Sequence, residues 1–186
     1  MLYIISGTSR TGKTMLAKKI SSKKSISYFS LDWLVMGFTN GIPELGIHDL
    51  LLPDDIAKRS WNYFKAMFES MLYSEVDYIV EGEAILPELL VTLINKHPKK
   101  TRVCFLGYTD IDVNKKVQDI KNFSDAKGDW LNKKSDEYII DHVNNMIEHS
   151  KKIKKSCKKT GLTYFDTSNS FPKVLKKAEN YLLGLD

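Results

Sequence analysis

One short segment restricts this chain more than anything else in it. Gly7-Thr8-Ser9-Arg10-Thr11-Gly12-Lys13-Thr14 satisfies the spacing GxxxxGK[ST] in full. An apolar run, Leu2-Tyr3-Ile4-Ile5, precedes it, and a stretch that reads as a helix, Lys13 to Ile20, follows it. Strand, glycine loop and helix in that order form a phosphate-binding turn. Its glycines let the backbone curl so that N–H groups point inward. The helix N-terminus adds positive potential. Gly7 to Thr14 are therefore expected to cradle a nucleotide, with Lys13 bridging its β- and γ-phosphates and the Thr14 hydroxyl on Mg²⁺.

The rest of the chain alternates strand and helix signals. Strands are expected at Ser25–Leu31, Asp77–Val80, Arg102–Leu106 and Leu162–Phe165. Helices are expected from Asp54 or Asp55 as cap, from Pro87 to about Lys96, from about Asp112 to Lys121, from Asp136 onward, and from Pro172 to Leu183. The long helix after Asp136 carries an apolar stripe of Ile139, Val143, Met146, Ile147, Ile153 and Cys157, and Gly161 suits its end. Gly37 to Pro53 is rich in Gly, Pro, Asn and Asp and reads as an ordered loop. Strands alternating with helices predict an α/β fold with a mostly parallel sheet covered on both faces. A single domain over 1–186 is expected, with a helical substrate-side insertion at about 37–74 and a lid-like loop at about 122–135.

Composition narrows the partners. With 186 residues and 42% apolar content the chain can build one well-developed core. No apolar run is long enough to cross a bilayer, and the first residues lead straight into the strand without a signal-peptide pattern. Cys104 and Cys157 fit no metal spacing and read as reduced thiols, so a cytoplasmic location is expected. The net charge of +5 owes much to six lysines between Lys151 and Lys159. They lie opposite the apolar stripe, as on a solvated helix face, and no nucleic-acid motif accompanies them. Nothing in the sequence specifies an oligomeric state.

Several residues carry candidate chemistry. Asp32 is expected at the end of the second strand, at the edge where parallel sheets bind ligands. A carboxylate there can take the proton of a hydroxyl attacking a γ-phosphate. It can equally cap a helix opening at Trp33. Glu81 directly follows Tyr78-Ile79-Val80 and is placed on the metal side; Glu83, two residues on, would face the same way if the strand continued and so meet the substrate. Positive charge for the transferred group has several sources: Arg10, Arg59, Lys121, Lys127, Lys133 and Lys134. Asp166-Thr167-Ser168 either borders an adenine site or forms a capping turn, and His48, Trp33 and Trp61 are substrate or core residues.

Gly7–Thr14, Ser30-Leu31-Asp32 and Ile79-Val80-Glu81-Gly82-Glu83 together resemble the P-loop kinases of small molecules and nucleotides. An aspartate ending the second strand is similar to the arrangement in chloramphenicol phosphotransferase, uridine kinase and zeta-type toxin kinases, where it acts as the base. The resemblance implies a three-layer P-loop NTPase fold with five strands in the order 2-3-1-4-5, and ATP as phosphate donor. One departure bears on substrate: Asn122–Ser135 holds no arginine, and outside the loop only Arg59 and Arg102 are available for a phosphate-bearing acceptor. The expected activity is transfer of the γ-phosphate of ATP to a hydroxyl of a small molecule, with Lys13, Asp32 and Glu81 catalytic and Asp32, Glu83 and Arg59 facing the acceptor. A nucleoside or nucleotide kinase and a nucleotide-dependent switch are the alternatives.

Overall fold

A computed structural model describes residues 1–123, 131 and 133–185. Five strands, β1 (Leu2–Gly7), β2 (Ser27–Ser30), β3 (Tyr78–Glu81), β4 (Thr101–Gly107) and β5 (Thr163–Asp166), form one sheet in the order β2-β3-β1-β4-β5. Every pairing is parallel. The expected strand order and the parallel sheet are both observed.

Alternation along the strands builds the two cores. Leu2, Ile4, Val80, Val103 and Phe105 pack on one face, against α2 (Leu31–Gly41), α3 (Pro53–Tyr73), α4 (Pro87–Lys96) and α6 (Asp136–Thr160). Ile5, Ile79, Cys104 and Leu106 pack on the other, under α1 (Lys13–Lys24) and α7 (Phe171–Leu183). A third cluster joins Tyr108 to α5 (Val113–Phe123) and the first half of α6. Phe64 and Phe68 are fully buried and anchor α3. Burying each is worth about 1.5–3 kcal/mol.

Several boundaries differ from expectation. Helix α2 occupies most of what reads as loop before residue 42. Gly37, Asn40 and Gly41 are poor helix formers, yet Leu31, Val35 and Phe38 recur at helical spacing and are buried, so packing overrides propensity. Phe38 meets the Tyr63 ring of α3 at 5.4 Å. Neither Asp54 nor Asp55 caps α3: its N-cap is Leu52, Pro53 opens the helix, and both aspartates lie in the first turn. Strand β2 ends at Ser30, so Asp32 is not at a strand end. Strand β3 ends at Glu81, so Glu83 lies in the loop that follows. The lid-like loop expected at 122–135 falls largely on residues 124–130 and 132, outside those described.

The lysines from 151 to 159 project from the exposed side of α6, opposite its buried stripe. Cys104 and Cys157 are buried and unbridged. Among the described residues no helix is long and apolar enough to cross a membrane.

Glu179 ties α7 to α1. It is fully buried and meets Lys19 at 2.8 Å, Lys23 at 3.0 Å and Lys176 at 3.3 Å. Burial pushes its pKa up, but hydrogen bonds from the three lysines outweigh that and hold it at about 2, below the ordinary 4.5. A carboxylate depressed in this way stabilises the fold above about pH 4.5 and loses that contribution as pH falls toward 2. The lysines are half-exposed and would be rehydrated, so Glu179→Gln should cost about 1–3 kcal/mol at neutral pH. Melting temperatures should differ most at neutral pH, by about 2–4 °C per kcal/mol, and converge on acidification. A gap constant down to pH 2 would contradict the assignment.

Candidate active site

The register sets the ends of β2 and β3 level, and β1 runs two residues further. Glu81 pairs with Ile5 on one side and Ser30 on the other. The segments after β1, β2 and β3 therefore open side by side into one crevice.

The loop after β1 is shaped by its glycines. Gly7 has φ +118°, and a Cβ there would lie 1.9 Å from the Leu106 carbonyl oxygen of β4. Gly12 has φ +87°, and a Cβ would press on the Phe171 ring at 2.8 Å. Neither position accepts another residue without movement. The Thr8 amide donates to the Leu106 carbonyl at 2.9 Å, and the Thr11 hydroxyl to the Thr8 carbonyl at 2.8 Å. Lys13 opens α1, is buried, and its Nζ donates to the Thr8 carbonyl at 2.7 Å. Its ammonium thus lies over the loop.

Two carboxylates converge on that ammonium. Glu81 is almost wholly buried, and its carboxylate accepts from the Ser30 and Thr14 side chains. Desolvation raises its pKa and Asp32 adds to the rise, while Ser30, Lys13 and Thr14 only partly offset it. Asp32 occupies the first turn of α2. Its N-cap alternative is not realised, because the N-cap is Ser30, whose side chain makes no capping bond. Asp32 presents surface to the crevice, yet the walls remove much of the bulk water around its carboxylate. Desolvation is accordingly the main cause of its raised pKa, with Glu83 adding to it and Lys13 opposing. Its carboxylate accepts from the Glu83 backbone N–H.

This architecture has known counterparts. It resembles a shikimate kinase from Bacteroides thetaiotaomicron, with a TM-score of 0.60 at 16% identity over 100% of this chain and 99% of that one. A gluconokinase from Sinorhizobium meliloti 1021 gives 0.58 at 15% identity, covering 98% and 91%. Shikimate kinase from Acinetobacter baumannii, in complex with shikimate, gives 0.55 at 12% identity, covering 98% and 93%. No family model and no curated protein matches the sequence. The fold is that of the P-loop kinases.

On this kinase fold, Glu83 occupies a position that sequence reasoning placed for the wrong reason. It does not continue β3, but Ser9 N–H donates to its Oε1 at 3.0 Å. His149 of α6 lies beside it, with Nδ1 at 3.9 Å from Oε1. Asp54, at the start of α3, holds the other ring nitrogen, Nε2, at 3.0 Å. That hydrogen bond is the first cause of the lowered pKa of Asp54. Ser150, the next residue of α6, is fully buried; its hydroxyl is 2.8 Å from the Thr8 hydroxyl and accepts from the Tyr108 amide at 3.1 Å.

Sequence reasoning missed Asp54, His149 and Ser150 as site residues. The signal was present: His149 and Ser150 fall within the buried stripe between Met146 and Ile153. Polar residues there need partners.

The basic groups are distributed differently from expectation. Lys116 of α5, not singled out from the sequence, donates to the Arg10 carbonyl at 2.9 Å and lies 5.0 Å from the centre of the Tyr108 ring. Desolvation lowers its pKa. Lys121 pairs with Asp136, and Lys134 lies over the Tyr138 ring at 5.3 Å. Lys133 is exposed, and Lys127 is outside the described residues. Arg10 sits in the loop with φ 61°, a left-handed conformation unusual for a side-chain-bearing residue. Arg59 is exposed and donates to the Gly46 carbonyl at 2.7 Å, which ties α3 to the turn before it.

Asp166 is engaged by Thr109 at 2.6 Å, Ser168 at 2.5 Å and Lys154 at 2.9 Å, and so joins the ends of β4 and β5. It does not cap α7, whose N-cap is Ser170. Trp33 is exposed beside Asp32 and stands edge-on to Phe29 at 6.2 Å, while Trp61 packs on Phe68 at 6.3 Å.

Proposed function

We propose that this chain is an ATP-dependent phosphotransferase that moves the γ-phosphoryl group to a hydroxyl of a small molecule. The observation that carries the reading is the convergence of Asp32, Glu81 and Lys13 at the mouth of the glycine loop. The likeness to shikimate kinases and a gluconokinase supports it at the level of fold.

The residues present suit the donor and its metal. Positive φ at Gly7 and Gly12 lets the loop backbone curl tightly against Leu106 and Phe171, the kind of turn whose N–H groups can face phosphate oxygens. The Arg10, Thr11, Gly12, Lys13 and Thr14 amides, with Thr8 holding the loop to β4, would bind the phosphates, and the Ser9 amide would join them on exchanging the Glu83 carboxylate for a phosphate oxygen. Thr14 and Glu81 offer hard oxygen donors to Mg²⁺, Glu81 directly or through water. Among the described residues no three His, Cys, Asp or Glu side chains form a metal cage. A magnesium ion held mainly by phosphate and water fits that arrangement. When bound, Mg²⁺ neutralises phosphate charge.

The chain's own groups do the rest. Lys13 orients the transferring phosphoryl group and stabilises its charge. Asp32 accepts the proton of the attacking hydroxyl, and its raised pKa makes it a stronger base than a free carboxylate. Lys116, holding the Arg10 carbonyl, keeps the loop in shape. The chain works as one kinase-like domain, and the reading carries a cytoplasmic location, where ATP is abundant.

A metabolite screen that reads ADP release tests this, with Asp32→Asn as control. Turnover should vanish in EDTA and return with Mg²⁺ or Mn²⁺. Metal-independent phosphoryl transfer would contradict the roles of Thr14 and Glu81.

A further inference from the structure

Every polar group of Thr8 is engaged. Its N–H donates to the Leu106 carbonyl of β4 at 2.9 Å. Its carbonyl accepts from the Thr11 hydroxyl at 2.8 Å and from Lys13 Nζ at 2.7 Å. Its own hydroxyl shares a hydrogen with Ser150 Oγ of α6 at 2.8 Å, a contact between residues 142 positions apart. Ser150 in turn accepts from the Tyr108 N–H, just past β4, at 3.1 Å. Thr8 and Ser150 are both fully buried, so water cannot replace a lost partner. The seat has no slack either: a Cβ at Gly107 would lie 3.0 Å from Ser150 Oγ and 2.2 Å from the Tyr164 hydroxyl. One hydroxyl of α6 thus reaches, through Thr8, the residue whose carbonyl holds the Lys13 ammonium.

We infer that Ser150 is a positioning residue for the phosphate site, acting through Thr8. The inference rests on the phosphotransferase reading above and deepens it. An ammonium has three N–H donors, so Lys13 can keep the Thr8 carbonyl and turn the others toward phosphate oxygens. Where those others point depends on where the Thr8 carbonyl stands. Thr11 and Lys13 belong to the loop and move with it. Two anchors join Thr8 to the rest of the protein, the Leu106 carbonyl at its backbone and Ser150 at its side chain. The first alone, next to the permissive Gly7, leaves the Thr8 carbonyl able to tilt, and the second stops the tilt. A loop held in its binding shape before the nucleotide arrives spares the ordering cost on binding. Ser150 therefore contributes to the affinity for ATP and not to that for the acceptor.

The test titrates full-length variants with ATP·Mg²⁺ well below their melting temperatures. Ser150→Ala should raise the Kd by about 3- to 10-fold, the size of one hydrogen bond. Thr8→Val exchanges the hydroxyl for a methyl and leaves the Tyr108–Ser150 bond in place. It should raise the Kd by a similar factor, and it keeps the test decisive where Ser150→Ala does not fold. Thr8→Ser retains the hydroxyl and should stay within about twofold of wild type. The double variant Thr8→Val/Ser150→Ala should lie within about twofold of the weaker single, because both delete one contact. Acceptor KM should stay within about twofold throughout, whereas a general loosening of the fold would raise it as well. Unchanged ATP affinity in folded Thr8→Val, or a loss in Thr8→Ser as large as in Thr8→Val, would overturn the inference. Multiplicative effects of the two substitutions would overturn the route through Thr8, and an equal rise in acceptor KM would overturn the assignment to the phosphate site. Wild type that binds no ATP·Mg²⁺ would sink the phosphotransferase reading and this inference with it.

Discussion

Lys13→Ala is expected to abolish phosphoryl transfer while the protein stays folded. The ammonium lies over the loop, bonded to the Thr8 carbonyl, and its pull lowers the pKa of both Asp32 and Glu81. Removing it has two consequences. A charge-assisted contact to the β- and γ-phosphates is lost, which should weaken ATP·Mg²⁺ binding by about 10- to 100-fold. Both carboxylates also lose their compensating cation, so their already raised pKa values climb further and less of the base is ionised. Because kcat depends on both effects, turnover should fall well beyond the loss in affinity. Titration calorimetry with ATP·Mg²⁺ checks the first part and single-turnover kinetics the second. Equal affinity in variant and parent would remove the basis of the phosphate-site assignment.

Asp32→Asn should lower kcat by about 10²- to 10⁴-fold, the range for a general base. ATP affinity should hardly move, because on the proposed reading the carboxylate serves the acceptor and not the nucleotide. Stability supplies an independent sign. A carboxylate whose pKa is raised on folding, here mainly by desolvation, contributes most stability where it is protonated, below the ordinary 3.8. That contribution is lost as pH rises through the folded value. At neutral pH the native protein therefore carries a desolvated charge, and asparagine removes it. The variant should melt at the same temperature or higher, a trade of stability for activity. In wild type, kcat should rise with pH along an acid limb lying above the ordinary carboxylate range. Near-normal kcat in the variant would move the catalytic role to Glu81 or Glu83.

Much of this site was legible because its parts are local. A glycine loop between strand and helix is written in eight consecutive residues, and Glu81 marks the end of β3 directly after an apolar run. The sheet order was legible only through the likeness of those segments to P-loop kinases. What escaped depends on tertiary contact. Helix α2 looked like loop because Gly37 and Gly41 are poor helix formers, and only the burial of Val35 and Phe38 against α3 explains it. Glu83 reached the crevice through the Ser9 amide and not by strand continuation. His149 lies far from Glu83 in sequence and Asp54 farther from His149, so no local pattern joins them. Lys116 reaches Arg10 across a comparable gap, whereas lysines chosen for lying near the lid segment bond elsewhere.

The central claim, that a γ-phosphoryl group passes to a small-molecule hydroxyl, is tested most directly by measuring product and ADP together. Wild type and Asp32→Asn would be incubated with ATP·Mg²⁺ and a panel of hydroxyl-bearing metabolites, with mass spectrometry following the phosphorylated acceptor. The account predicts one acceptor class whose phosphate ester forms in step with ADP, and loss of both signals in the variant. Slow ADP release with no phosphorylated acceptor, the same in both proteins, would contradict it.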